Sequence, residues 1–114
     1  MIVKINSKEF KIKTAISKSD TVKGMMGKKF DSTYNGMLFF VSSGFHCFWM
    51  KDCLEFLDII FIKDNKISRI YNNCPPCKTK DCKNYCGEGN LILELPGLTC
   101  QRFKINEGDS INIE

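Results

Sequence analysis

Residues 58–71 read Asp58-Ile59-Ile60-Phe61-Ile62-Lys63-Asp64-Asn65-Lys66-Ile67-Ser68-Arg69-Ile70-Tyr71. Two runs rich in β-branched and aromatic residues, Asp58 to Lys63 and Ile67 to Tyr71, flank Asp64 and Asn65, which tolerate positive φ at low cost. A two-residue turn of that kind suits the twist of antiparallel strands, so the stretch is predicted to be a hairpin. Comparable signals lie on both sides of it. Val3/Ile5 and Phe10/Ile12 alternate around the polar turn Asn6 to Glu9, the pattern of a hairpin with one buried face. From Gly36 the text turns β-rich again: Met37 to Val41, a turn at Ser42 to Gly44, then Phe45 to Met50, which reads as a further hairpin. Leu91 to Leu95 reads as a strand, and Gly108-Asp109 turns into a last one, Ser110 to Ile113.

Helices are few. Ser17 with Asp20 three residues on is a capping-box pattern, and Val22, Met25 and Met26 then share a face until Gly27, so a helix is expected over 18–26. A second short helix is expected over Leu98 to Lys104. Residues 72–90 show no apolar periodicity and read as a polar, cysteine-rich loop. These elements predict a mainly β single domain over residues 1–114, an antiparallel β-barrel or sandwich with one or two short peripheral helices.

Composition narrows the classes of function. The 114 residues are 43% hydrophobic, enough for one packed core. The apolar runs Met37 to Val41 and Ile59 to Ile62 fall far short of the roughly 18 to 20 residues of a membrane span, so no span is expected. The start Met1-Ile2-Val3-Lys4-Ile5 alternates like a strand and shows no secretory leader, which favours the cytoplasm as an expectation. The net charge of +4 is carried almost wholly by lysine, with Arg69 and Arg102 the only guanidinium groups. Scattered strand lysines are usually a solvated face, so nucleic acid is a disfavoured partner.

Several words of the chain, taken in order, carry a family likeness: Gly24-Met25-Met26-Gly27-Lys28, Gly36-Met37-Leu38-Phe39, Phe48-Trp49-Met50-Lys51 and Leu57-Asp58-Ile59-Ile60-Phe61-Ile62. Pro76-Cys77, Cys82 with Tyr85, Leu93-Glu94-Leu95-Pro96-Gly97 and Gly108-Asp109 continue it. Together they resemble the domain-of-unknown-function 192 family across nearly all of the chain beyond Lys13. The resemblance implies a compact β-barrel-like domain with short peripheral helices and no established reaction. Lys28, Cys53 and Phe56 depart from the arginine, threonine and proline usual in the family. The family pattern accounts for Cys77 and Cys82, and leaves Cys47, Cys74, Cys86 and Cys100 particular to this chain.

Cys74, Cys77, Cys82 and Cys86 have the spacing Cys-x2-Cys-x4-Cys-x3-Cys in a loop with nothing else to order it. Four thiolates on zinc would order it, as would two disulfides; free thiols are a third state, and spacing alone does not separate them. In the module so formed, Lys78, Lys80, Lys83 and Tyr85 would touch a partner or single-stranded nucleic acid. Cys74-Pro75-Pro76-Cys77 outlines a redox dithiol, but lacks the helix start that lowers a thiol pKa. Seven cysteines leave at least one unpaired. Cys47 is expected to pack as a small apolar group on one strand face with Phe45 and Trp49. His46, on the opposite face, is the sole histidine and pairs only with Cys53 in any thiol–base scheme.

Trp49, Met50 and Lys51, with Asp58 beyond, are the words the resemblance stresses most. Trp49 would stack on a flat ligand while Lys51, Asp58 and Glu94 supply polar contacts to a small molecule or protein partner. The bland reading makes Trp49 and Met50 core and pairs Lys51 with Asp58. Asp58 with Glu94 as a hydrolytic carboxylate pair lacks a known separation. Met25, Met26, Met37 and Met50 are read as core fillers rather than soft-metal ligands. The function expected is therefore binding rather than catalysis, hydrolase or thiol chemistry having no recognisable constellation.

Overall fold

A computed structural model of the chain describes every residue from Met1 to Glu114. The stretch read first is indeed a hairpin: β4 (Leu57–Lys63) and β5 (Lys66–Cys74) are antiparallel, with Asp64 and Asn65 at φ 52° and 62°. β1 (Ile2–Ile5) and β2 (Lys8–Ala15) form the other, with Asn6 and Ser7 at φ 51° and 67°. The remaining strands are β3 (Gly36–Trp49), β6 (Asn84–Pro96) and β7 (Asn112–Ile113). One seven-stranded sheet has the order β5-β4-β6-β3-β2-β1-β7, antiparallel throughout except for the parallel pair β2 and β3. The sheet curls into a half-barrel. Its far edges approach through the residues before β7, where Ile67 N–H donates to the Asp109 carbonyl (2.9 Å) and Ile111 N–H to that of Asn65 (2.9 Å).

The central sheet is covered on both faces, which explains why β4 is buried from Leu57 to Ile62. On one face Leu38, Ile60, Ile62, Leu93 and Leu95 pack with Val3, Ile5, Phe10 and Cys100. On the other, Met37, Phe39, Ile59, Phe61 and Ile92 pack with Met25, Met50, Leu57 and Tyr85. Helix α1 (Lys18–Lys23) is capped by the Ser17 Oγ, which accepts from Asp20 N–H at 3.0 Å. It stops at Gly24, sooner than the expected Met26, because Gly24 turns to φ 46° while its N–H still closes on the Asp20 carbonyl. Helix α2 is a single turn, Thr99–Arg102, entered through Leu98 at φ 72°.

Two expectations are corrected. The hairpin expected at Ser42 to Gly44 is instead one strand: β3 runs through, and its register against β6 shifts between Phe40, opposite Leu91, and Gly44, opposite Gly89. The turn-forming residues are absorbed in a bulge because β6 offers a continuous partner along β3. The expected loop over 72–90 shrinks to residues 75–83, with β5 running to Cys74 and β6 starting at Asn84. Its strand pattern was hidden because inward positions hold Tyr85, Gly87 and Gly89 rather than aliphatic residues. A Cβ at Gly87 would stand 2.7 Å from the Phe61 ring, and one at Gly89 would collide with the Ile62 carbonyl oxygen. Glycine is what lets the β3–β6 ribbon fold down onto β4.

Gly89→Ala is expected to destabilise the domain by about 2 kcal/mol or more, since the obstacle is backbone that cannot swing aside. Urea unfolding checks this; an unchanged midpoint would refute the close approach.

Candidate functional site

The sheet face that carries Phe39 is only partly covered by α1, and a cavity of about 300 Å³ remains between them. Its walls are Thr21 to Met26 from α1 and the chain after it, Phe39 and Cys47 to Trp49 from β3, and Cys53. Glu94 of β6 completes the lining. Trp49 is 41% exposed and Val22 61% exposed, so an aromatic ring and an aliphatic side chain border the opening. Phe39 and Phe48 meet edge to face, 5.0 Å between centroids.

Glu94 is the one acidic residue of this lining, and it is only 3% exposed. Its Oε1 is buried without any hydrogen-bond partner. Burial pushes its carboxyl up from the usual carboxylate range to about 8, so it is mostly protonated at neutral pH. Gly24 keeps the approach open, for a Cβ there would lie 3.2 Å from the Phe39 ring and 3.8 Å from Glu94 Oε1. A buried carboxyl left unbonded costs stability, and one with a raised pKa in the wall of a cavity is a candidate functional group.

The other residues singled out by sequence lie elsewhere. Asp58 points to the opposite face: it pairs with Leu95, whereas Glu94 pairs with Ile59, so the sheet separates the two carboxylates. No hydrolytic pair exists. Asp58 Oδ1 accepts from Asn73 N–H (2.7 Å) and Leu98 N–H (3.0 Å), and Oδ2 from Cys100 N–H (2.8 Å). Those bonds, rather than Lys51, answer its charge. Lys51 Nζ instead donates to the Thr79 carbonyl at 3.3 Å, and the neighbouring backbone is laced to Cys77, whose N–H donates to the Met50 carbonyl (3.1 Å). Of the four residues Trp49, Lys51, Asp58 and Glu94, the structure brings Trp49 and Glu94 together.

The cysteines do not form a zinc site. Cys77 and Cys82 are joined by a disulfide, Cys86 is joined to Cys47, and Cys74 is left as a buried free thiol. Nowhere do three or more metal-ligating side chains converge. The 77–82 bond is the one the family pattern allowed for. The 47–86 bond corrects the reading of Cys47 as a packed free thiol: the two residues are directly opposite in the β3–β6 register, Cα atoms 4.1 Å apart. Cys47 is exposed and, next to Phe48 and Trp49, also borders the cavity.

Thiol catalysis finds no support in the geometry. Cys53 is buried, and desolvation first, then the nearby Glu94, pushes its thiol up to about 12. His46 Nε2 lies 2.6 Å from the Ser42 carbonyl, a bond it makes as donor. What sequence reasoning missed is the contribution of α1: Thr21 to Met26 form one wall. The word Gly24-Met25-Met26-Gly27 was the available signal, since a glycine beside two methionines marks a close, adaptable surface.

A small half-barrel domain with a mainly apolar, partly open cavity between α1 and the sheet is thus the class that fold and site define. The chain belongs to the DUF192 family, described as an uncharacterized ACR, which it matches over residues 1–113. It is similar to the crystal structure of a protein of unknown function from Novosphingobium aromaticivorans DSM 12444, with a TM-score of 0.87 and 25% identity. That match covers 99% of this chain and 84% of the other. A proposed transcription regulator from Sinorhizobium meliloti 1021 shares the fold at a TM-score of 0.83 and 24% identity, covering 97% and 89% of the two chains. No curated protein matches the chain.

Asp58→Ala strands three backbone N–H groups, that of Cys100 fully buried and those of Asn73 and Leu98 partly so, and is expected to cost about 3 kcal/mol by thermal or urea unfolding. Full stability in that variant would show that the carboxylate is dispensable. Glu94 makes an opposite forecast. Its carboxyl loses its proton near 4.5 when unfolded and near 8 when folded, so its contribution is complete below about 4.5 and is lost as pH rises through 8. Glu94→Gln is therefore expected to flatten the fall in stability between those values, and to exceed the parent at pH 9 by a few kcal/mol, on the order of the linkage energy. Parallel stability–pH curves for the two proteins would contradict the buried, protonated carboxyl.

Proposed function

We propose that this domain binds a small, largely apolar molecule in the cavity between α1 and the sheet, with Trp49 at the opening and the Glu94 carboxyl as its polar anchor. The observation that carries this reading is the partnerless Oε1 of Glu94 in an otherwise mainly apolar lining. A concave apolar site with few placed polar groups is the usual make-up of a ligand pocket. Lys51 and Asp58 serve it indirectly: Lys51 fixes the chain after Trp49 to the cysteine loop, and Asp58 anchors the end of β6 beyond Glu94. Two disulfides suit an oxidising compartment better than the cytoplasm that the N-terminal sequence favoured.

Fragment screening by amide-resolved NMR tests the reading. Flat apolar fragments are expected to shift the amides of Gly24, Met25, Met26 and Trp49, and Met26→Trp, which fills the space, is expected to abolish those shifts. Fragments that bind only elsewhere, or equally well after the cavity is filled, would sink it.

A further inference from the structure

We propose that the molecule taken up by this cavity is a small amine, its ammonium group paired with the Glu94 carboxylate and resting against the rings of Phe39, Phe48 and Trp49. The inference rests on the reading of the cavity as a binding site and adds the chemistry of its occupant. Three aromatic side chains and one unbonded carboxyl share the lining. Aromatic faces attract a cation, and more strongly once it is desolvated. A carboxylate supplies the charge that makes such desolvation tolerable. Neither group rewards an anion. A space of about 300 Å³ holds a body of roughly ten to fifteen heavy atoms, near the lower end of ligand pockets.

The surroundings of Glu94 leave that role to the ligand. From β3 its sheet partner is Met37 and from β4 it is Ile59, neither charged. Cys53 and Cys74 are pushed up chiefly by burial, to about 12 and about 11, and stay neutral. Asp52 acts on Cys53 from the adjoining loop. From α1, Lys23 reaches the lining but is exposed, and the chain's one ion pair is Lys63 with Glu88, at 3.4 Å. No cation of the protein itself meets the Glu94 carboxyl.

The proton balance follows. At pH 7 the free carboxyl holds its proton and the free amine is an ammonium ion, so forming the ion pair releases one proton to solvent. No bond to carbon is made or broken. Affinity then rises about tenfold per pH unit below 8 and levels off above it, until the amine loses its own proton.

Trp49 is the only tryptophan and borders the cavity, so its emission reports binding directly. The test titrates the protein with 2-phenylethylamine, its isostere 2-phenylethanol and the anion 3-phenylpropanoate, from pH 6 to pH 9. Calorimetry in two buffers of different ionisation enthalpy counts protons in parallel. The amine is expected to bind at least about tenfold more tightly than the alcohol at pH 8, with close to one proton released at pH 7. Glu94→Gln is expected to remove that preference while leaving the alcohol unchanged. Equal affinity for amine and alcohol with no proton released, or tighter binding of the anion, would overturn the amine and leave the cavity reading standing. Were none of the three to alter Trp49 emission or give heat, both would fall. Should Glu94→Gln fold poorly, the proton count on the parent protein decides alone.

Discussion

A single buried carboxylate holds the frame of this domain. Asp58 lies in β4, between β5 and β6, fully inaccessible, and receives three backbone N–H groups from two separate segments. An unpaired charge there would be prohibitively costly, so the segments that satisfy it are fixed in turn. Asn73 and Leu98 both take positive φ, an unfavourable choice for leucine, to present their N–H groups. Through them the end of β5, the end of β6 and the start of α2 are set relative to β4. The position of Glu94, four residues before Leu98 on the far side of the sheet, is one result.

The two buried carboxyls therefore stand in contrast. Asp58 has every strong donor it needs and behaves as part of the scaffold. Glu94 has none at Oε1, and its surroundings hold the proton on rather than the charge. Similar burial with opposite satisfaction is the physical basis for the proposed division between a stabilising carboxyl and a ligand-facing one. Neither distinction follows from residue type, since both are acids inside apolar β words of the chain.

Much of the fold could be read from local chemistry. The Asp64-Asn65 turn announced itself because positive φ restricts the residues that can serve there, and the polar stretch Asn6 to Glu9 marked the first hairpin, whose turn narrows to Asn6-Ser7. The β-branched run of β4 and the Ser17 cap were legible from residue type and spacing. The β3–β6 ribbon was not, because its inward positions are glycines chosen by a neighbouring ring and carbonyl that lie far away in sequence. The same limit applied to the site. Trp49 and Glu94 could be picked out, but that Glu94 faces α1 while Asp58 faces away depends on register, and the Cys47–Cys86 bond depends on which strands pair.

That bond has a topological meaning as well. Cys47 and Cys86 are 39 residues apart, so their link closes a covalent ring that contains the whole β4–β5 hairpin and, nested inside it, the smaller Cys77–Cys82 ring. The hairpin is lassoed. If it peels from β6, it remains tethered at both ends to the ribbon it must rejoin, and the entropy of bringing those ends together has already been removed from the open state. Under tension applied at the chain ends, the segment within the ring bears no load and adds nothing to the extended length. The strand that carries Asp58 is thus sheltered from force by covalent connectivity, independently of how well it packs.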